Sequence, residues 1–192
     1  AAVIPIGSEH ITADVAIGLR CPINLAERIK LEYGSARSDK FTKKDEVDVS
    51  DLAKEENISE DNLVISKKYV AEIIEARVEE IFEKIDQELK KIDRSGLLPA
   101  GVFLIGSGAK LNNLVEAAKN KLRLPACLGA NQNIPLAIDK VNDINYLTAL
   151  GLVAWGNQLT KRKKSSRLSW PAGGAAAKGL EQVKEWFKSL IP

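Results

Sequence analysis

VFLIGSGAKLNNLVEAAKNKL, residues 102–122, is the stretch that decides the fold class. Its first four residues are apolar, as in a short buried strand, and the Gly106-Ser107-Gly108 that follows marks a turn. Beyond the turn, apolar residues recur at helical spacing. They are Leu111, Leu114, Val115, Ala118 and Leu122. The segment therefore predicts a strand, a glycine turn and a helix in succession, as in α/β domains.

The sequence on both sides continues this alternation. Residues 2–6 are predicted to end a strand, residues 126–128 to form another, and residues 146–155 to form an apolar closing helix. Ser66 is predicted to cap a long helix, because the apolar residues after it share one stripe. The stripe consists of Val70, Ile73, Ile74, Val78, Ile81, Phe82, Ile85, Leu89 and Ile92. Strands that alternate with helices predict an α/β body.

Two shorter helices are predicted before the long one. Thr12 is expected to cap a helix that ends at Leu19, and residues 22–33 are expected to form the next, with Gly34 as a left-handed C-cap residue. From 35 to 62 the pattern is weak and polar. The alternation at residues 47–49 suggests an edge strand or a hairpin arm there.

The C-terminal segment has a different character. Residues 157–179 carry six positive charges and no negative one, with a Pro-Ala-Gly-Gly run, which predicts a flexible basic linker. Residues 180–192 then predict an amphipathic helix. Its apolar face comprises Leu180, Val183, Trp186, Phe187, Leu190 and Ile191, and Lys184 and Lys188 lie on its polar face. A membrane surface is the favoured partner of this helix, and docking on its own domain or on another protein are the alternatives.

Composition excludes several classes of function. No apolar run reaches the roughly 18 residues of a membrane-spanning helix, and no stretch resembles a signal peptide, so a cytoplasmic location is expected. The body before the linker is mildly acidic, which argues against nucleic-acid binding. His10 is the only histidine and Cys21 and Cys127 match no metal-ligand spacing, so neither a catalytic set nor a metal site is predicted. Because the chain contains no Met, a fragment is expected.

Three groups of residues are candidates for binding. Glu27 and Lys30 lie three apart on one predicted helix and could bond a purine edge or ribose hydroxyls, or form an ordinary surface ion pair. The Gly106-Ser107-Gly108 turn could approach a ligand closely or could serve chain geometry alone, since neither a Rossmann fingerprint nor a P-loop lysine accompanies it. Arg77, Glu79 and Glu80 flank the apolar stripe, where they could contact a partner or face water.

Four segments resemble, in order, successive motifs of the bacterial cell-division FtsA family. They are GSEHITADVA at 7–16, AERIKLEYG at 26–34, IEARVEEI at 74–81 and PAGVFLIGSGA at 99–109, and Gly151-Leu152 and the amphipathic terminus continue the match. Ser8 and Ser107 stand where the family usually has a second Gly, and Ala76 where it usually has Pro.

The resemblance implies the C-terminal half of an actin-like ATPase fold. Residues 1–11 and 66–156 would form a core subdomain, and 12–65 a smaller inserted one. It implies that Glu27 and Lys30 border the adenosine of ATP bound with Mg, and that Gly106, Ser107 and Gly108 form the adenosine-side turn. The family's phosphate-binding hairpins and interdomain catalytic residues are not found in this sequence, so this chain alone is expected not to hydrolyse ATP.

The resemblance also implies partners. The tubulin-like division protein FtsZ would dock through its C-terminal peptide, with Arg77 and Glu80 as contacts. The protein would anchor FtsZ filaments to anionic lipids on the cytoplasmic side of the membrane at the division septum, as a peripheral protein that self-assembles when nucleotide is bound. The alternative is a fragment of another actin-fold ATPase, a chaperone or sugar kinase, with an incidental tail.

Overall fold

The computed structural model describes residues 1–58, 63–132, 134–136 and 139–165. Its helices are α1 (Ser8–Leu19), α2 (Ile23–Tyr33), α3 (Ser50–Glu55), α4 (Lys67–Lys90), α5 (Leu114–Leu122) and α6 (Leu147–Ser165). Its strands are β1 (Glu46–Asp48), β2 (Val64–Ser66), β3 (Val102–Leu104) and β4 (Ala126–Leu128). The mixture of helices and strands confirms an α/β fold. Ala1–Leu150 form one compact unit, and the described residues from Gly151 to Ser165 belong to a second.

The described strands pair in two small sheets. β1 and β2 are antiparallel, with Val47 opposite Ile65, which confirms a strand near residue 47. The chain between the two strands contains α3, so β1 is an edge strand of a two-stranded sheet and not the arm of a hairpin. β3 and β4 are parallel, with Phe103 opposite Cys127, and α5 forms the crossover that a parallel pair requires. The strand, turn, helix and strand predicted from residues 102–128 are therefore confirmed. Cys127 is a free cysteine and is exposed on β4.

α4 is the central element of the core. Val70, Ile74, Val78 and Phe82 of its predicted stripe are buried, and α4 packs against both α1 and α5. The hydroxyl of Ser66 accepts a hydrogen bond from the Tyr69 N–H at 3.3 Å, which confirms the predicted cap. Because the apolar residues fall on one face, a single helix can serve as the support for two others.

The N-terminal region differs from the prediction. Residues 2–6 form no strand, since within the described residues no strand lies beside them to accept their hydrogen bonds. α1 begins at Ser8 rather than after Thr12, because the His10 ring already accepts the N–H of Gly7 at 3.3 Å and so caps the helix earlier. α1 consequently runs through residue 11, the predicted boundary between subdomains. Residues 35–62 also contain a helix, α3, that the polar pattern did not predict.

Gly34 ends α2 as predicted, but with φ −67° rather than in the left-handed region. Its lack of a side chain matters for another reason. A Cβ at this position would lie 2.1 Å from the carbonyl oxygen of Lys30, and 3.0 Å from the Cδ1 of Ile74. A glycine is therefore required by close packing of the backbone.

The closing helix is longer than predicted. α6 continues to Ser165, past the expected end at residue 155 and nine residues into the segment 157–179 that was predicted to be flexible. No Gly or Pro interrupts residues 157–165, and their Gln, Leu, Lys and Arg favour helix. The rest of that segment and the predicted amphipathic helix at 180–192 lie outside the described residues. Among those described, no helix has both the length and the apolar character needed to span a bilayer.

Candidate functional site

A cleft of about 250 Å³ lies between α2 and the segment that follows β3. Glu27 and Lys30 line one side of it, and Ser107 and Gly108 line the other, so residues almost eighty positions apart come together. The complete lining is Ser8, Glu27, Lys30, Leu31, Gly34, Ser107, Gly108, Lys110, Leu111 and Asn112. Gly106 begins the turn with φ +93°, which favours glycine, but it is not among the lining residues.

The ammonium group of Lys30 is buried in the wall of the cleft. Its side chain is 6% exposed, and Nζ lies 3.0 Å from the Ser8 hydroxyl, 2.8 Å from the Thr12 hydroxyl and 2.5 Å from Oε2 of Glu27. A buried charge is costly unless it is paired and hydrogen-bonded, and these three acceptors meet that requirement. Ser8 and Thr12, both on α1, are site residues that spacing along the sequence did not identify.

The carboxylate of Glu27 is only partly enclosed. Oε2 accepts hydrogen bonds from Lys30 and from the Thr12 hydroxyl, whereas Oε1 has no partner among the described residues and the side chain is 43% exposed. Burial alone would raise the pKa of this carboxyl group. The hydrogen bonds from Lys30 and Thr12, together with the positive charge, outweigh burial, so the pKa of Glu27 lies below its usual range. The cleft therefore presents an ionised carboxylate with one open acceptor oxygen.

Direct hydrogen bonds fasten the two sides of the cleft to each other. The Ala36 N–H donates to the Asn112 carbonyl at 2.9 Å, and the Asn112 side-chain amide donates to the Gly34 carbonyl at 3.1 Å. The Asn113 amide donates to the Ser35 hydroxyl at 2.9 Å. These bonds tie the end of α2 to the loop before α5 and so fix the width of the cleft.

The glycine turn does not lead directly into the helix, whereas the sequence predicted a helix that already includes Leu111. A short 3-10 segment, Ser107–Lys110, follows Gly106, and α5 begins only at Leu114. The chain between them is extended at Leu111 and left-handed at Asn113, so the helical repeat cannot start earlier. The N-terminus of α5 is consequently not the anion-binding feature that a helix opening at the turn would have supplied.

Arg77 and Glu80 come together outside this cleft. The guanidinium of Arg77 donates to both carboxylate oxygens of Asp14 on α1, at 2.5 and 2.8 Å, and also to Glu80. These carboxylates raise the pKa of Arg77, with the Asp14 hydrogen bond as the largest cause. Glu79 pairs instead with Lys121 of α5 at 3.3 Å. Asp14 is a third residue that sequence spacing missed, since it lies 63 residues from its partner.

The side chains of the cleft offer hydrogen-bonding groups to a polar ligand but no set of metal ligands. Within the part of the chain that the structure describes, no group of three His, Cys, Asp or Glu side chains could hold a metal ion. Every buried side-chain nitrogen or oxygen there has a hydrogen-bond partner.

Residues 1–151 match the family model described as cell division protein FtsA. This match covers most of the chain, including all the residues of the cleft. The chain belongs to the FtsA family. The match confirms the family that the four sequence motifs resemble.

Curated FtsA proteins from several bacteria are similar to this chain. The FtsA of Pseudomonas aeruginosa is 30% identical over 194 residues, which cover 97% of this chain and 44% of that protein. The FtsA of Bacillus subtilis is 32% identical over 79% of this chain and 32% of its own length. That of Escherichia coli K12 is 27% identical, with 97% and 44% covered. The chain thus spans less than half the length of the FtsA relatives it matches, and each relative is named a cell division protein.

Proposed function

We propose that this FtsA-family chain is the C-terminal half of an actin-like protein that binds ATP and anchors FtsZ filaments of the division ring to the cytoplasmic membrane. The observation that carries the proposal is the cleft, in which Glu27 and Lys30 meet Ser107 and Gly108. The resemblance to the FtsA family implies that these residues form the adenosine side of a nucleotide site. Family membership and the coverage of less than half of each relative support the assignment of this chain to one half of such a protein.

The donor and acceptor groups of the cleft suit the adenosine part of ATP. The open oxygen of Glu27 can accept a hydrogen bond from a ribose hydroxyl, and the backbone at Ser107 and Gly108 lies opposite it. The phosphates and Mg would be held by residues outside this chain, since the described residues offer neither a metal cluster nor a phosphate-binding glycine loop with a lysine. ATP, when bound, would favour self-assembly of the full-length protein.

The two proposed attachments lie on different parts of the chain. The FtsZ C-terminal peptide would dock near Arg77 and Glu80, whose side chains are 26% and 41% exposed. Anionic lipids would be bound by residues 180–192, with Trp186 and Phe187 entering the interface and lysines meeting the headgroups. One short helix binds weakly, so self-assembly into filaments would strengthen attachment through effective concentration.

Adenosine binding tests the nucleotide part of the proposal. The whole 192-residue chain would be titrated with adenosine and with ATP by NMR, together with Glu27→Gln and a matched control, Glu88→Gln, in an exposed helical ion pair. We expect saturable binding that Glu27→Gln weakens by about tenfold, equivalent to about 1.4 kcal/mol, and that the control retains. Equal binding by both variants would place the ligand elsewhere.

Liposome co-sedimentation tests the membrane part. Vesicles of phosphatidylethanolamine and phosphatidylglycerol should carry down the wild-type chain and a Trp170→Glu control, but not Trp186→Glu, because only Trp186 lies on the apolar face of the predicted helix. Unchanged sedimentation of Trp186→Glu would refute anchoring by residues 180–192.

A labelled FtsZ C-terminal peptide tests the partner by fluorescence anisotropy. Arg77→Ala should weaken binding, whereas Arg94→Ala, beyond the far end of α4, should not. No binding of the peptide to the wild-type chain would overturn the anchor proposal in this form.

A further inference from the structure

Lys30 has no N–H left for a ligand. An ammonium group has three donors, and here they are directed at the hydroxyls of Ser8 and Thr12 and at Glu27. The Ser8 carbonyl, at 3.5 Å, is a further and more distant acceptor for the same group. A ligand could bond Lys30 only by breaking one of these bonds inside a wall where the side chain is 6% exposed. The geometry assigns Lys30 to the wall rather than to the ligand.

Thr12 links the two charged residues of the cleft. Its hydroxyl accepts from Lys30 at 2.8 Å and donates to Oε2 of Glu27. A hydroxyl has a single hydrogen, and the competing acceptor, the Ser8 carbonyl, is farther away at 3.2 Å. Thr12 is buried, at 4% exposure. With Oε2 fixed from two directions, the rotation of the carboxylate is fixed too, and Oε1 is the oxygen left for a ligand.

We propose that Thr12 is the positioning residue of this cleft, holding Glu27 so that Glu27 alone contacts a sugar hydroxyl of the ligand while Lys30 stays in the wall. The identity of the ligand as a nucleoside rests on the proposed function. The role of Thr12 does not, because it concerns only contacts within the chain. Ser8 assists by taking the third donor of Lys30, a contact that glycine at this position could not make.

The charges near Glu27 are few. Lys30 is the cation that pairs with it, and α1 places the hydroxyls of Ser8 and Thr12 beside this pair. The titratable side chains of α1 are Glu9, His10 and Asp14; Asp14 bonds Arg77, and the His10 ring accepts the N–H of Gly7. Lys110, from the 3-10 segment across the cleft, pairs with Asp143 at 2.8 Å. Arg28, on the same helix as Glu27, pairs with Glu55 of α3 and with Glu56, and Lys67 of α4 lies over the ring of Tyr33. Burial is the largest influence on the pKa of Glu27 and raises it, and Lys30 and Thr12 are the groups that lower it.

Carboxyl-carbon NMR of the whole chain measures this directly. The pKa of Glu27 would be followed in the wild type, in Thr12→Val, which removes the hydroxyl at constant shape, and in Thr12→Ser, which keeps it. We expect Thr12→Val to raise the pKa of Glu27, because one hydrogen bond to the charged form is lost, and Thr12→Ser to leave it unchanged. Exposed Glu88 serves as the internal control in the same spectra.

A second measurement needs no variant, so it stands even if Thr12→Val fails to fold. Adenosine added to the wild-type chain should shift the Glu27 carboxyl signal and leave the Lys30 ammonium signal in place. A shift of the Lys30 signal instead would overturn its assignment to the wall.

The outcomes separate the two proposals. An unchanged Glu27 pKa in folded Thr12→Val would refute the positioning role, whether or not adenosine binds. A raised pKa combined with no response of either wild-type signal to adenosine would support Thr12 and refute the nucleotide site. A raised pKa combined with a Glu27 response supports both.

Discussion

The ion pair between Asp14 and Arg77 is expected to contribute measurably to the contact of α1 with α4. The guanidinium donates two parallel hydrogen bonds, at 2.5 and 2.8 Å, and the two side chains are 25% and 26% exposed. Exposed pairs couple by about 0.2–1 kcal/mol, whereas breaking a fully buried pair costs about 3–5 kcal/mol. A bidentate pair with one-quarter exposure lies between, so we expect a coupling free energy of about 1–2 kcal/mol.

A double-mutant cycle measures this coupling. Urea unfolding of the wild type, Asp14→Ala, Arg77→Ala and the double variant gives four free energies of unfolding, and their combination isolates the pair. A second cycle on Glu88 and Lys91, which are 36% and 66% exposed, provides the control. The control pair should couple by no more than about 0.5 kcal/mol, and 1 M salt, where the Debye length is about 3 Å, should reduce it more than the Asp14 pair.

The result also decides how Arg77 variants are interpreted. If the Asp14 cycle gives no more than the control cycle, Asp14 does not hold Arg77 and the reasoning about this contact is refuted. If it gives the expected value, loss of FtsZ peptide binding in Arg77→Ala combines a missing contact with a loosened helix. Peptide binding by Asp14→Ala then distinguishes the missing contact from the loosened helix, because this variant loosens α1 while it keeps the Arg77 side chain.

Three further predictions concern the body and the cleft. Ile74→Ala should lower the free energy of unfolding by about 2–5 kcal/mol, as seen in urea, since Ile74 is completely buried. Gly101→Ala should be destabilising in the same assay, whereas Gly96→Ala should cost less, because both have positive φ but only at Gly101 would a Cβ meet the Pro125 carbonyl, at 2.2 Å. Ionised Glu27 should stabilise the folded chain at every pH above its pKa in the unfolded chain, near 4.5, and this stabilisation should be lost as the pH falls through the lower pKa of the folded chain. In Glu27→Gln, the free energy of unfolding should no longer fall with pH in this range for that reason.

The sequence predicted correctly those helices and strands whose buried face is visible as a pattern of apolar residues within the element itself. The α4 stripe repeats along one helix face, and the four apolar residues before Gly106 suffice to mark β3. The pairing of Glu27 with Lys30 was likewise visible, because residues three apart on a helix share a face. In each case the information lies within a few residues.

The errors occurred where a distant contact decides the outcome. Thr12 has the composition of a helix cap, but α1 starts earlier and packs on α2, so its hydroxyl meets Glu27 and Lys30, 15 and 18 residues away. The bond of Asp14 to Arg77 spans 63 residues. Neither pairing has a periodic pattern, and no rule of spacing along the chain could have found them. The extension of α6 to Ser165 was missed for a different reason, since a run of basic residues is compatible with both helix and linker.

α1 contacts both the cleft, through Thr12, and Arg77 on α4, through Asp14. Thr12 and Asp14 are two residues apart, which places them about 200° apart around a helix, and accordingly Thr12 bonds side chains of α2 while Asp14 bonds α4. A substitution that displaces α1 as a whole must disturb both the open oxygen of Glu27 and the position of Arg77. Removal of the Thr12 hydroxyl alone leaves the Asp14 face in place, so its effect should be confined to the cleft. The comparison of Thr12→Val with Asp14→Ala therefore distinguishes a role in the cleft from a general role in holding the helices together.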